Sequence, residues 1–480
     1  MIEIDAPGLA GEYEEQSVVT PPVFADAGAS RQNPYRVALL TPYDGGNLGD
    51  ASIQDAMIQN LRSRLPGVRL SGISLSSVNF MKLHGVASFP LSETDRPFYR
   101  MVRDAAAELS ASEQRSIRPE RPQTMPIRLA RKVLRRVPFL KRGVKTMQTG
   151  AREARHWIAS YRFLRDLDVV IVSGGGQLDE AWGGPWGHPF ALFKWAVLAR
   201  IARVPYVMAS VGVGTVQTTS SRLLVSAALR LACYRSYRDK SSRDLAATLF
   251  GRASRDPVVP DLAFGLSTQE SRVSPSIRAL AAGRSVIAIS PIAFAKPHNW
   301  PQSDAELYRR YLGQLGLAMS VLLQRGYFLA LVFSSCGDDE SVIPDLLECL
   351  DESAKKRIEE QTFVPRIRIW RDYIEAVSEA DLLIASRLHS TILGFVSHRP
   401  TVAISFEPKV DWVMDDLGQT EYLLHIRTFV SDDIIKAIER LQPRGAQITQ
   451  QLVEYQSRNA TALAAQYDRL AKLATDHCRS

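Results

Sequence analysis

The sequence predicts an α/β protein built on two parallel sheets, and three observations predict it. Short, almost wholly apolar runs recur along the chain, stretches with helical spacing separate them, and glycine-rich loops directly follow several of the runs. Strands this apolar are buried on both faces, as in parallel sheets covered by helices. Length points the same way: 480 residues exceed what one ordinary core holds, so at least two domains are expected.

Taken in order, residues 1–33 are polar, rich in Gly, Ala and Pro, and carry six acidic groups against the single Arg31; they read as a mobile tail. A first α/β domain follows over residues 34–264. Its first strand is Tyr35–Leu40, leading through TPYDGGNLGD into a helix on which Ile53, Ala56, Met57, Asn60 and Leu61 share one face. Asp168–Val172 and Val204–Val211 read as its later strands. GLSTQESRVSPS (265–276) reads as a linker. The second domain, residues 277–430, has strands at Ser285–Ser290, Tyr327–Phe333, Asp381–Ala385 and Thr401–Ser405. Residues 431–480 have a helical pattern and are expected to pack back on the first domain.

Between His84 and about Gln148 the strand rhythm stops, which marks an insertion within residues 84–148. Residues 121–145 hold nine basic groups and no acidic one, so an anionic partner is expected. Within residues 127–142, Ala130, Val133, Leu134 and Val137 line one helical face, while Arg131, Lys132, Arg135 and Arg136 fall largely on the other. Such a helix either lies on an anionic membrane or packs on its own domain with a solvated basic face. Aromatic residues are not interleaved with the charges, which argues against a nucleic-acid partner.

The bulk composition, 45% hydrophobic and 23% charged with a net charge of +8, is that of a globular chain. Four widely spaced cysteines without a C-x-x-C pair argue against a disulfide framework or a zinc site and suit a reducing compartment. The acidic start lacks the basic and apolar regions of a signal peptide, and apolar runs stop short of the roughly 20 residues that span a bilayer. The expected location is cytoplasmic, with peripheral attachment to the inner face of the membrane if the basic helix binds it.

In doubly wound sheets, ligands bind beyond the carboxyl ends of the strands, and four loops qualify. GGNLGD contributes Asn47, Gly49 and Asp50; Asp50 is placed either as a helix cap or as a catalytic carboxylate. SGGGQLDE contributes Gly174, Gly175 and Gly176, which leave room for a ligand, with the carboxylates of Asp179 and Glu180 beside them. SVGVG contributes Gly212. In SRLHS, Arg387, His389 and Ser390 fall at a helix start, a site suited to an anion; His389 can also exchange a proton.

Together GGNLGDASI, SGGGQL, SYRDKSSRDL (Ser236–Leu245), SRLHS and SFEPKV (Ser405–Val410) resemble the polysaccharide pyruvyl transferase family. In this order they cover roughly residues 36–425. The resemblance implies two facing Rossmann-like domains similar to the GT-B architecture. It also implies transfer of pyruvate from phosphoenolpyruvate onto two sugar hydroxyls as a cyclic ketal, in exopolysaccharide or cell-surface glycan synthesis. Arg387 and His389 would then hold the donor, with Arg238 of the YRD stretch assisting. The family's Tyr-Asp/Asn-x-Lys pattern reads Phe406-Glu407-Pro408-Lys409 here, and the insertion has no counterpart.

The residue types suit this chemistry. A carboxylate and a phosphate call for several cations, for which Arg387, His389, Arg238 and Lys409 are the candidates. Asp50, Asp179, Glu180 and Glu407 are the candidate acids and bases. Phosphoenolpyruvate enters as a co-substrate; no cofactor or metal is expected, and the acceptor is a glycan or lipid-linked oligosaccharide. A GT-B-type glycosyltransferase using a nucleotide sugar fits the same domains and loops, since fold does not fix function. A non-catalytic glycan-binding subunit would have no reason to keep both Arg387 and His389.

Overall fold

A computed structural model describes residues 35–43, 45–94, 152–181, 183–251, 255–267, 276–300 and 302–477. The acidic residues 1–33 and the basic residues 127–142 lie outside this set. The first sheet holds β1 (Arg36–Thr41), β2 (Arg69–Ser74), β3 (Ser88–Pro90), β4 (Val169–Ser173), β5 (Tyr206–Val211) and β6 (Tyr234–Tyr237), in the order β3-β2-β1-β4-β5-β6. All pairs are parallel; Val37 of β1 stands opposite Leu70 of β2 and Val169 of β4.

The second sheet holds β7 (Val286–Ser290), β8 (Phe328–Leu331), β9 (Thr362–Phe363), β10 (Leu382–Ala385), β11 (Thr401–Ser405) and β12 (Leu423–His425), in the order β12-β11-β10-β7-β8-β9. Counted from β7, this is the strand order of the first sheet read from its other edge. Each half is therefore a Rossmann-like doubly wound domain with its switch point between the first and fourth strands, and the two together make a GT-B-like architecture.

The strands form where the sequence is most apolar. β4, β5, β7, β10 and β11 are buried along their whole lengths, and a fully buried aliphatic side chain contributes about 1.5–3 kcal/mol. β3 lies within the stretch read as an insertion: three residues are too few to show a strand period, yet Ser88–Pro90 completes the sheet edge.

The domains meet at the start of the helix Leu48–Arg64. Leu48 N–H donates to the Ser334 carbonyl at 2.9 Å, and Cys336 N–H donates to the Gly46 carbonyl at 3.0 Å. Deeper in, Trp370 Nε1 donates to Asp55 Oδ2 at 2.6 Å, while His84 Nδ1 lies 2.7 Å from Asp55 Oδ1. The terminal helix Gly445–His477, roughly 50 Å long, contacts both domains. Tyr455 donates to Asp416 of the second at 2.8 Å, and Gln466 bonds Ser210, Tyr234 and Ser236 of the first. No helix among the described residues is long and apolar enough to cross a membrane.

Candidate active site

The two switch points face each other across a cleft of about 360 Å3. The first domain lines it with the loops after β1, β4 and β6, the second with the loops after β7, β10 and β11. A smaller recess of about 140 Å3 adjoins it, sharing Phe406 and Glu407 and reaching Asp411, His425 and Arg427. Beside the shared wall, Phe294, Trp300 and Phe406 pack with ring centroids 5.3–5.5 Å apart.

The second domain supplies cations. The helix Leu388–Val396 is buried almost all round, as its run LHSTILGFV requires, and no side chain caps its N-terminus. The cleft-lining side chains Arg387 and His389 stand at that end, where backbone N–H groups and the helix dipole favour an anion. Arg387 donates from Nε and Nη2 to the two oxygens of Asp339, at 2.5 and 2.8 Å, so Nη1 is not among the bonded atoms. Asp339 is fully buried and also accepts from Ala293 N–H at 3.0 Å. Burial opposes the charge on Arg387, but Asp339 outweighs it and holds the guanidinium above its ordinary value. Lys409 Nζ reaches the first domain's glycine loop, 3.9 Å from where a Cβ on Gly176 would sit. Its partner Glu407 is 3.3 Å away, and both side chains are partly exposed.

The first domain supplies shape. Gly174 and Gly175 have φ of +53° and +70°, left-handed values that side chains oppose. A Cβ on Gly174 would also meet Leu262 and Ile53 at 2.8 and 2.9 Å. The loop is zipped to the one after β5 by Gly212 N–H on the Gly175 carbonyl and Leu178 N–H on the Gly212 carbonyl, at 2.7 and 3.1 Å. Two other glycines act by closeness: a Cβ on Gly49 would lie 2.1 Å from His389 Cγ, and one on Gly212 would lie 2.6 Å from Arg238 Nε. Without those glycines, neither side chain could lie where it does.

Arg238 is nearly buried, its Nε 3.3 Å from Asp239 and its Nη1 3.6 Å from Asp261. Asp261 also stands 3.8 Å from His389 Nε2. Burial works against its charge, but His389 and Arg238 outweigh that and keep the carboxyl below the usual range.

Of the residues expected from sequence, Asn47, Asp50, Gly174, Gly175, Gly176, Asp179, Arg238, Arg387, His389, Glu407 and Lys409 line one cleft. Asn47 is the helix cap, its Oδ1 accepting from Gly49 N–H at 2.9 Å; Asp50 is therefore not the cap but lies one turn in, facing Gly175. Asp179 accepts from Ala181 and Thr215 N–H and so also ties two loops together. Glu180 does not line the cleft: it accepts from Gln217 N–H and from Thr218 N–H and Oγ1 at the entry to the helix Thr219–Leu231. Ser390 is buried behind the loop on the hydroxyls of Ser290 and Ser334. Gly49 and Gly212 back the cations rather than line the space.

Sequence reading did not single out Asp261, Asp339 or Trp300. The two aspartates lie in PDLAF and CGDDE, loops that meet Arg238 and Arg387 only once each domain is folded, and His389 only once the two domains meet.

Fold and site define a two-domain protein of GT-B-like architecture, with a cation-bearing cleft between its domains. Over residues 47–408 the chain matches the model of the family described as polysaccharide pyruvyl transferase. The chain belongs to that family. No curated protein matches it in sequence. Among solved structures it is similar to UDP-GlcNAc 2-epimerase from Neisseria meningitidis bound to UDP-GlcNAc: identity is 10%, coverage 92% of this chain and 100% of that one, and the TM-score 0.50. It is also similar to a ugt transferase from Siraitia grosvenorii in complex with UDP, at 12% identity, 92% and 100% coverage, and a TM-score of 0.48. At these identities the likeness concerns the fold alone.

Proposed function

We propose that the cleft binds phosphoenolpyruvate and that the protein transfers its three-carbon unit, as a cyclic ketal, onto two hydroxyls of a glycan. The observation that carries this reading is the convergence of Arg238, Arg387, His389 and Lys409 on one cleft. A small ligand with a carboxylate at one end and a phosphate at the other needs such a set.

In this reading Arg387, held rigid by Asp339, and the uncapped helix start grip one end of the donor. Lys409 exchanges Glu407 for the other; a partly exposed pair contributes about 0–1 kcal/mol and is readily replaced. The methylene carbon of the donor takes a proton, leaving positive charge on the neighbouring carbon that bears the phosphate. One sugar hydroxyl bonds to that carbon and gives up its proton. The second then bonds, giving up its own proton, as the carbon–phosphate oxygen bond breaks, and phosphate leaves with the electron pair. Asp50, Asp179 and Glu407 are the carboxylates placed to move these protons; Glu180 is not among them. The acceptor lies over the aromatic wall of Trp300 and Phe406, toward the recess of Asp411 and Arg427. For the basic residues 127–142, charge alone supports contact with an anionic membrane that carries a lipid-linked acceptor.

Calorimetry with phosphoenolpyruvate tests the donor, and incubation with a panel of lipid-linked sugars in anionic vesicles, read by mass, tests the transfer. We expect binding, a pyruvate added without phosphate, and flotation of the protein with the vesicles that salt reverses. Binding of a UDP-sugar in place of phosphoenolpyruvate would overturn the donor assignment.

A further inference from the structure

The floor of the cleft holds a group of buried polar atoms that the binding reading leaves unexplained. Asp261 is 4% exposed and enters from the segment after β6, where Tyr237 and Val258 form an isolated parallel bridge. Its Oδ1 accepts from Ala263 N–H at 3.0 Å and caps the short 3-10 turn Leu262–Gly265. Its Oδ2 accepts no hydrogen bond: Arg238 Nη1 stands at 3.6 Å and His389 Nε2 at 3.8 Å. His389 Nε2 and Arg238 Nη2 are likewise buried without a bonded partner. Buried polar groups are almost always satisfied, so unbonded atoms from both domains, gathered at one point, mark a contact left incomplete in this arrangement of the domains.

The charge is the second part of the argument. A carboxylate beside Arg238 and His389 weakens the grip of both on an anion. An asparagine would cap the same turn equally well and subtract nothing. The negative charge balances the buried guanidinium of Arg238 and, on the same oxygen, faces His389. A buried carboxylate on one imidazole nitrogen fixes the tautomer and makes the other nitrogen the one that exchanges protons.

We propose that Asp261 is a positioning residue: its Oδ2 accepts a hydrogen bond from the Nε2–H of His389 on closure, leaving Nδ1 to exchange a proton with the substrate. This rests on the reading that His389 faces the donor. His389 then does more than hold an anion. It supplies or receives the proton of the transfer, in turn with a cleft carboxylate, and Asp261 stabilises the imidazolium in between. Arg238, on the same oxygen, ties the first domain to that event. Burial of Tyr467, from the terminal helix, pushes its hydroxyl upward, and the charge of Asp261 adds to this.

Asp261→Asn in the full chain is the test, with three readouts. In side-chain 15N spectra of histidine-labelled protein, His389 is assigned by the signal that His389→Asn loses. It should show one tautomer, protonated on Nε2, in the parent and a mixture in Asp261→Asn. By calorimetry the affinity for phosphoenolpyruvate should hold or rise, because a negative charge has gone. Turnover, as phosphate release with the lipid-linked sugar panel, should fall about 100-fold or more, within the range of general acid–base catalysis. Affinity and turnover moving in opposite senses is what a merely structural role would not produce. His389→Gln, whose amide reaches the place of Nε2, should lose turnover even at saturating phosphoenolpyruvate; it serves if Asp261→Asn does not fold. Parental turnover in either variant, or an unchanged tautomer in Asp261→Asn, would overturn the proposal. A tautomer that depends on Asp261 in a protein that binds no phosphoenolpyruvate would uphold the pair and remove the donor assignment instead.

Discussion

The two domains share one strand order and contribute opposite things to the cleft. The first gives backbone: glycines at 174–176 in a loop zipped to its neighbour, and glycines 49 and 212 against which His389 and Arg238 rest. The second gives side chains: Arg387, His389 and Lys409, each beside a carboxylate. A loop without side chains can be held in one shape by hydrogen bonds alone, whereas a cation in a partly dry cleft needs a counter-charge before any ligand arrives. Arg238 with its carboxylate Asp261, and Asp50 and Asp179 on the cleft wall, cross this division as first-domain side chains.

The comparison breaks most visibly at Arg387. Arg387→Ala leaves Asp339 buried without its partner, and losing one member of such a pair costs roughly 3–5 kcal/mol. We expect the midpoint of urea unfolding to fall accordingly, and binding of phosphoenolpyruvate to disappear from calorimetric titrations. Arg387→Met combined with Asp339→Asn should recover most of the stability and none of the binding. Recovery of both would mean that Arg387 only braces the second domain.

Gly49→Ala asks whether the first domain's part is shape. Alanine suits a helix better than glycine, so any penalty comes from the Cβ placed 2.1 Å from His389 Cγ. The ring must shift by an ångström or so, a displacement that can cost about 100-fold in turnover. We expect that loss in phosphate release, with the melting temperature close to the parent's. A variant as active as the parent would show that His389 has room to spare.

What the sequence made legible follows the same division. The central strands were readable because burial on both faces leaves only apolar residues, as in VVIVS and TVAIS. The strands at or next to the sheet edges, β2, β3, β6, β9 and β12, were not: Arg69–Ser74 contains Ser and Gly, and Thr362–Phe363 has two residues. At the site, glycine runs and the Arg-Leu-His triplet stand out because they break the local pattern. Asp261 and Asp339 do not, since an aspartate in a loop has the default role of capping a turn, and Asp261 does cap one. Their second roles arise from contacts with residues more than 20 positions away, which no local spacing encodes. Glu180 shows the converse: its place beside three glycines suggested chemistry, and a helix entrance claims it instead.

Glu180 thus provides the smallest and most discriminating test. Its carboxylate is exposed and accepts from Gln217 N–H and from Thr218 N–H and Oγ1. Hydrogen bonds from Ser221 and Thr218, more than any other influence, lower its pKa from an ordinary 4.5 to about 2. A carboxyl lowered on folding adds stability that is fully present above its ordinary value and fades as pH falls toward the folded one. The parent should therefore lose a small part of its stability between pH 4.5 and about 2, and Glu180→Gln should lose less over that interval. At neutral pH we expect Glu180→Gln to lower stability by about 1 kcal/mol or less, the scale of one exposed cluster of hydrogen bonds. Its affinity for phosphoenolpyruvate and its turnover should match the parent's, in contrast to Asp50→Asn and Asp179→Asn, whose carboxylates line the cleft. A fall of tenfold or more in turnover, with stability unchanged, would put Glu180 back among the acids and bases. It would mean that the loop after β4 moves on binding far enough to carry this carboxylate into the cleft, where it would join Asp50 and Asp179 as a first-domain acid or base.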